Sequence, residues 1–92
     1  MKYYIVSTFE IDGHSSSTSI ICDGSTAKQQ YLHEILYNPD TKEYYPTQFS
    51  RKEDDGSTTI YGSWECGNWS VNIFPFKTYK EITNKERFTR TG

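Results

Sequence analysis

Hydrophobic and polar residues alternate from the start of the chain: Tyr3, Ile5, Ser7, Phe9 and Ile11 on one side, Tyr4, Val6, Thr8 and Glu10 on the other. A period of two is what a pleated strand imposes on its faces, and the β-branched and aromatic content suits such a surface. A strand is therefore predicted over 2–11. Asp12-Gly13-His14-Ser15-Ser16-Ser17 is turn chemistry, since glycine accepts positive φ and small hydroxyl residues bond to local backbone. A second strand, about Thr18 to Cys22, completes an N-terminal hairpin.

The period then lengthens. Asp23-Gly24-Ser25-Thr26 interrupts the strand, and Thr26 with Gln29 has the spacing of a capping box. A helix follows to about Tyr37, with Ala27, Tyr31, Leu32, Ile35 and Leu36 as its apolar stripe and Lys28, Gln30, His33 and Glu34 turned outward. Asn38-Pro39-Asp40 ends it, because proline cannot continue the hydrogen-bond ladder and restricts the residue before it.

The second half reads as a three-stranded meander with two-residue turns at Asp55-Gly56 and Gly67-Asn68. The second turn pairs Trp64 with Val71 and Gly62 with Ile73, so Ile60, Gly62, Trp64, Val71 and Ile73 share an apolar face. The first sets Phe49 across from Gly62 on that same face, where a missing side chain leaves room for a ring. The opposite face then carries Tyr61, Phe74 and Phe76 beside Thr59, Ser63 and Asn72. The fold class expected is α+β: an antiparallel sheet of about five strands in ββαβββ order, with one helix packed on one face.

Size and charge narrow this further. Ninety-two residues hold one hydrophobic core, because so short a chain buries only about 60% of its unfolded surface. Eight Tyr, five Phe and two Trp concentrate the apolar mass in rings. Residues 1–76, the expected domain, carry five Lys/Arg against ten Asp/Glu; residues 77–92, a basic and partly ordered tail, carry five against two. Neither balance has the charge density of a dedicated DNA binder or of a phosphate-backbone mimic. With no apolar run of about 20 residues and no secretory leader pattern, the expected location is the cytoplasm, where Cys22 and Cys66 are thiols.

Catalytic chemistry finds little support. A thiol nucleophile would have to come from Cys22 or Cys66 with His14 or His33, and no local signature joins them. Two Cys and two His without paired spacing do not make a zinc site. Glu53-Asp54-Asp55-Gly56 lacks the alternating ligands of an EF-hand loop, and no glycine run resembles a phosphate loop. The expectation is a non-enzymatic protein with no metal and no cofactor. Aromatic surface is what is left: Tyr61, Phe74 and Phe76 on the sheet, and Tyr44 and Tyr45 before Pro46, are the candidate anchors for a protein partner. A homodimer is compatible with the same faces. The alternative is nucleic-acid binding by the sheet rings and by Lys77, Lys80, Lys85, Arg87 and Arg90 of the tail.

The opening Lys2-Tyr3-Tyr4-Ile5-Val6, the passage Cys22-Asp23-Gly24-Ser25-Thr26-Ala27 and the Tyr-rich hairpins resemble the small orphan proteins of phages and mobile elements. Some of these are similar in layout to anti-restriction or anti-CRISPR inhibitors, which bind a host defence complex and block it. The resemblance lies in size and style, departs from the strongly acidic DNA-mimic subset, and transfers no functional residue. It implies an inhibitor of a host protein, acting in the host cytoplasm.

Overall fold

In a computed structural model, which describes residues 1–45, 49–64, 67–76 and 89–91, the alternation at the N-terminus becomes a long hairpin. Strand β1, Lys2–Ile11, pairs antiparallel with β2, His14–Asp23, over their full length. The connection is Asp12-Gly13 alone, both at positive φ (50° and 83°), the type I′ turn whose twist matches that of the strands it joins. The serines expected in a loop are instead the exposed first half of β2.

Helix α1, Ser25–Ile35, follows directly. Its N-cap is Gly24, at φ 120°, with no side-chain capping bond; the Lys28 N–H reaches the Gly24 carbonyl at 3.1 Å. The capping box expected at Thr26 is thus replaced by a glycine that turns the chain two residues earlier. At the other end the helix stops at Ile35, short of the expected Tyr37. Tyr37 is already in β3, Tyr37–Asn38, which pairs with β4, Glu43–Tyr44, in a two-stranded ribbon. Asn38 accepts the Asp40 N–H on its side chain at 3.0 Å and the Lys42 N–H on its carbonyl at 2.8 Å, and this closes the ribbon's turn.

The meander comprises β5, Phe49–Lys52, β6, Thr58–Trp64, and β7, Gly67–Phe76. With β8, Thr89–Thr91, the main sheet runs β5-β6-β7-β1-β2-β8, antiparallel except for the last pair. Among the described residues the fold is therefore α+β with a five-stranded antiparallel sheet and one helix, and the expected ββαβββ order is interrupted by the small ribbon and extended by β8. Pro75 sits in β7 beyond the last residue paired to β6, where no ladder needs its missing N–H.

Both meander registers differ from expectation, with opposite consequences. Gly67-Asn68 is not a turn but the start of β7, and Trp64 pairs with Gly67, Gly62 with Trp69 and Ile60 with Val71. The partner of Trp64 moves four positions, two full alternations, so no side chain changes face. At the other hairpin the loop is one residue longer than Asp55-Gly56 requires. The Gly56 N–H bonds the Glu53 carbonyl (3.1 Å) and the Glu53 N–H bonds the Ser57 carbonyl (2.9 Å), with Gly56 at φ 89°. This is a type I turn closed by a glycine bulge. Phe49 now pairs with Tyr61 rather than Gly62, and a slip of one residue turns every side chain of a strand over. Phe49 and Arg51 leave the core side for the opposite face.

The core lies between α1 and the sheet. Ile5, Ile20, Cys22, Ala27, Tyr31, Trp69 and Val71 are buried there, with Tyr3, Phe9, Leu32, Ile60 and Ile73 packed around them. Ser7, also buried, meets the Tyr31 hydroxyl at 3.4 Å and donates to the Thr18 carbonyl at 3.3 Å. A buried hydroxyl is thereby satisfied inside an apolar layer. The space over Gly62 is filled by the indole of Trp69, not by Phe49.

Candidate functional site

Among the described residues no helix packs on the sheet face away from α1, which divides into two halves. Near the ends of β1 and β7, Ile21 and Phe76 are buried, with Tyr4 and Phe74 packed against them. The Phe74 and Phe76 rings meet edge-on at 4.6 Å, and Tyr4 lies 6.4 Å from Phe76. Phe76, expected as an exposed anchor, is 1% exposed. The place of a ring on the outward face does not make it accessible: Phe76 lies against Phe74 of its own strand and Tyr4 of β1.

The other half is polar, with one aromatic wall. Thr8 and Glu10 of β1, Asn68 and Ser70 of β7, Thr59 and Tyr61 of β6 and Arg51 of β5 line a shallow groove of about 390 Å³. Cross-strand pairing sets the order: Glu10 opposite Asn68, Thr8 opposite Ser70, Ser70 opposite Tyr61, Tyr61 opposite Phe49. Phe49 stacks on Tyr61 with centroids 5.3 Å apart and planes 25° from parallel. The Arg51 guanidinium lies 5.5 Å from the Tyr61 centroid and is hydrogen-bonded to Glu53. That bond, and the Glu53 charge behind it, hold the Arg51 pKa above its ordinary value. Phe49 is 58% exposed, a large ring facing solvent on an edge strand.

A hydrogen-bonded cluster stiffens the groove beside these rings. Asn72 donates its amide to Ser57 Oγ (2.8 Å) and Thr59 Oγ1 (3.0 Å). Ser57 donates its hydroxyl and its N–H to Asp55 Oδ1, at 2.6 and 2.9 Å. Ser57 and Thr59 are buried, and a satisfied buried network of this kind holds its members in one geometry. The loop at 53–57 is thus tied to the sheet, and β5 with it.

Tyr44 and Tyr45 lie on the other side of the sheet. Tyr44 is exposed, with its hydroxyl 3.2 Å from His33 Nδ1 and its ring against Tyr37. Tyr45 is half-buried, packs against Phe9, and gives its backbone N–H to the Leu36 carbonyl at 2.7 Å. Burial, and then the nearby Asp40 carboxylate, raise its phenol pKa above 10.0. The five anchors read from the sequence therefore do not form one surface: Tyr61 and Phe74 share the face away from α1, Phe76 is buried there, and Tyr44 and Tyr45 border the helix. Missed by that reading were Phe49, placed inward by the hairpin register, Arg51 and the Asn72 cluster. The signal for the first two was present, since Gly56 three residues after Glu53 suits a bulged loop as well as a two-residue turn.

The thiol and imidazole candidates separate. Cys22 is buried under α1, while His14 stands eight residues up the same strand, about 27 Å away at the usual strand rise. His33 is engaged with Tyr44 on the exposed side of α1. Among the described residues no three His, Cys, Asp or Glu side chains group as metal ligands, and no helix is long and apolar enough to cross a membrane. Cys66 and the tail cations Lys77, Lys80, Lys85 and Arg87 lie outside the described residues; Arg90 lies in β8. No protein-family model, no curated protein and no solved structure matches the chain.

Proposed function

We propose that this protein acts by stoichiometric binding, occupying a surface of a partner protein and inhibiting it, rather than by catalysis. The observation that carries this reading is the Phe49–Tyr61 stack: an exposed ring on a half-buried one with Arg51 alongside, mounted on paired strands next to a groove with hydroxyl and amide groups. Aromatic rings and arginine are the side chains that most often dominate protein interfaces. A scaffold stiffened by a buried polar network loses little freedom when it binds. The Arg51 charge, partly neutralised by Glu53, favours a partner that brings a carboxylate near its apolar contact. The resemblance to phage and mobile-element inhibitors adds a class of partner, a host defence complex in the cytoplasm.

The test is a paired substitution, Phe49→Ser with Tyr61→Ser, in place of any change at Phe74, which supports buried rings. Tagged wild-type and doubly substituted protein are used for capture from the cells that express the gene, and the partner retained by the wild type is then purified and titrated. Truncating a central aromatic typically costs about 2 kcal/mol or more, so the affinity should fall by more than about tenfold while melting remains cooperative. Unchanged affinity overturns the choice of face. A steep decline of affinity with salt, toward an oligonucleotide rather than a protein, would instead favour the nucleic-acid alternative.

A further inference from the structure

The polar groove beside Tyr61 contains groups that the Phe49–Tyr61 contact does not use. Glu10 of β1 and Asn68 of β7 stand directly opposite each other, Ser70 follows two residues along β7, and Ser70 in turn faces Tyr61 of β6. Glu10 and Asn68 are exposed, while Ser70 and Tyr61 are half-buried. The Glu10 carboxylate, the Asn68 amide and the Ser70 hydroxyl make no hydrogen bond or ion pair to another described residue. Asn72 and Thr59, on the same face, are by contrast joined at 3.0 Å within the network that stiffens the sheet.

The three unengaged groups complement one another. A carboxylate only accepts, a hydroxyl both donates and accepts, and an amide offers each from a separate atom. Side chains directly opposite start about 4.5–5.5 Å apart, and successive ones on a face about 7 Å apart. All three therefore converge on a space about as wide as one six-membered sugar ring, with Tyr61 as its apolar wall. The groove volume of about 390 Å³ lies within the roughly 300–1,000 Å³ of small-ligand sites.

We propose that this groove is a sugar-binding subsite that takes one pyranose unit of a neutral oligosaccharide. An apolar C–H face of the ring packs against Tyr61, two neighbouring hydroxyls donate to the Glu10 carboxylate, and others pair with Asn68 and Ser70. Bonds to an ionised carboxylate are the stronger ones in such a set. A polyol suits the groove because each of its hydroxyls donates and accepts. Ligand charge of either sign is unmatched: Glu10 repels an anion and Arg51, which also lines the groove, repels a cation. An apolar ligand would take water from the polar groups and replace none of its bonds. Phe49 does not line the groove, so the sugar site stands independently of the protein contact proposed above.

Titration of the isotopically labelled full chain with neutral trisaccharides, followed by amide chemical shifts, tests the site. The probes are cellotriose, maltotriose, mannotriose and acetylated chitotriose. Shallow sites bind weakly, so each is taken to about 10 mM, tenfold above a Kd of about 1 mM. At least one is expected to shift the Glu10, Asn68 and Ser70 resonances saturably while those of α1 stay in place. Glu10→Gln, at an exposed position, should weaken that binding about tenfold or more through loss of charge-assisted bonds. Tyr61→Ala should abolish it, and Tyr61→Phe, which keeps the ring, should retain it. Circular dichroism of each variant separates lost binding from lost fold, and Glu10→Gln decides the matter where Tyr61→Ala is unfolded. Three results overturn the proposal: no neutral trisaccharide shifts these resonances, Glu10→Gln binds as tightly as the wild type, or a charged trimer binds more tightly than every neutral one. The charged trimers are unacetylated chitotriose, a cation, and trigalacturonate, an anion.

Discussion

Gly62 shows how much one missing side chain determines. A Cβ there would stand 2.8 Å from Nε1 of Trp69 and 3.0 Å from two further indole atoms. Trp69 is 2% exposed, so its ring has nowhere to withdraw. Gly62→Ala is expected to lower stability by about 1–3 kcal/mol, as overpacking does, and Trp69→Ala by about 3–5 kcal/mol through the cavity it leaves. Urea denaturation followed by circular dichroism measures both; a neutral Gly62→Ala would mean that the indole is not held over this glycine. Tyr45 gives a second residue-scale prediction. Its phenol pKa is raised above 10.0 by burial and by Asp40, so the folded state keeps a proton that the unfolded chain releases. The associated stabilisation is fully present below pH 10 and lost as pH rises through the folded value. Tyr45→Phe should therefore lose less stability than the wild type between neutral and strongly alkaline pH, as read from melting temperatures at matched pH; parallel declines would contradict the assignment.

At the scale of elements, loop chemistry decides which way strands face. Asp-Gly occurs twice, at 12–13 and 55–56. At the first site both residues take positive φ and the loop is two residues long. At the second, Asp55 instead turns its carboxylate back onto Ser57, and Gly56 becomes the bulge. Gly56→Ala, at φ 89°, is expected to cost about 1–2 kcal/mol. Asp55→Ala removes both bonds to Ser57 and should cost about 1–3 kcal/mol, the penalty for weakening a buried polar group. Both are measured as shifts of the denaturation midpoint. A wild-type midpoint in Asp55→Ala would show that the carboxylate does not hold the loop. The helix illustrates the same competition: Thr26 and Gln29 have capping-box spacing, yet Gly24 turns the chain first, and the ribbon claims Tyr37 before the helix can reach it.

For the whole molecule, the sheet separates a core face from the face of the proposed contact. The face under α1 holds the core, and the opposite face holds the Phe49–Tyr61 stack, Arg51 and the polar groove. Substitutions on the two faces should therefore sort by outcome. Phe49→Ser, on an exposed ring, is expected to stay within about 1 kcal/mol of wild-type stability and to reduce binding, whereas Trp69→Ala should unfold the protein more readily. Stability and binding assays run on the same variants check this division, and a strongly destabilised Phe49→Ser would contradict it. Much of this arrangement was legible in the chain. Alternation marked β1, β6 and β7, and it sorted Ile60, Val71 and Ile73 against Tyr61, Phe74 and Phe76 even though the hairpin between β6 and β7 is displaced, because a displacement by whole periods preserves parity. The candidate site was less legible. Phe49 and Arg51 depend on a single extra loop residue, and the burial of Phe76 involves Tyr4 of another strand as well as Phe74.

What local sequence determined, then, was what a short-range period or a steric preference governs: β1, β6, β7 and the second half of β2, the helix and its apolar stripe, the presence of a turn after Ile11 and the face to which most rings belong. These depend on torsions and on side chains a few positions apart, and their energies are set before distant parts meet. Only the tertiary structure decided the loop length between β5 and β6, the strand order that puts β8 beside β2, the burial of Phe76 and the separation of Tyr44 and Tyr45 from Tyr61. Each of these results from competition between segments far apart in the chain, in which packing and buried hydrogen bonds outweigh local preferences that differ by about 1 kcal/mol or less.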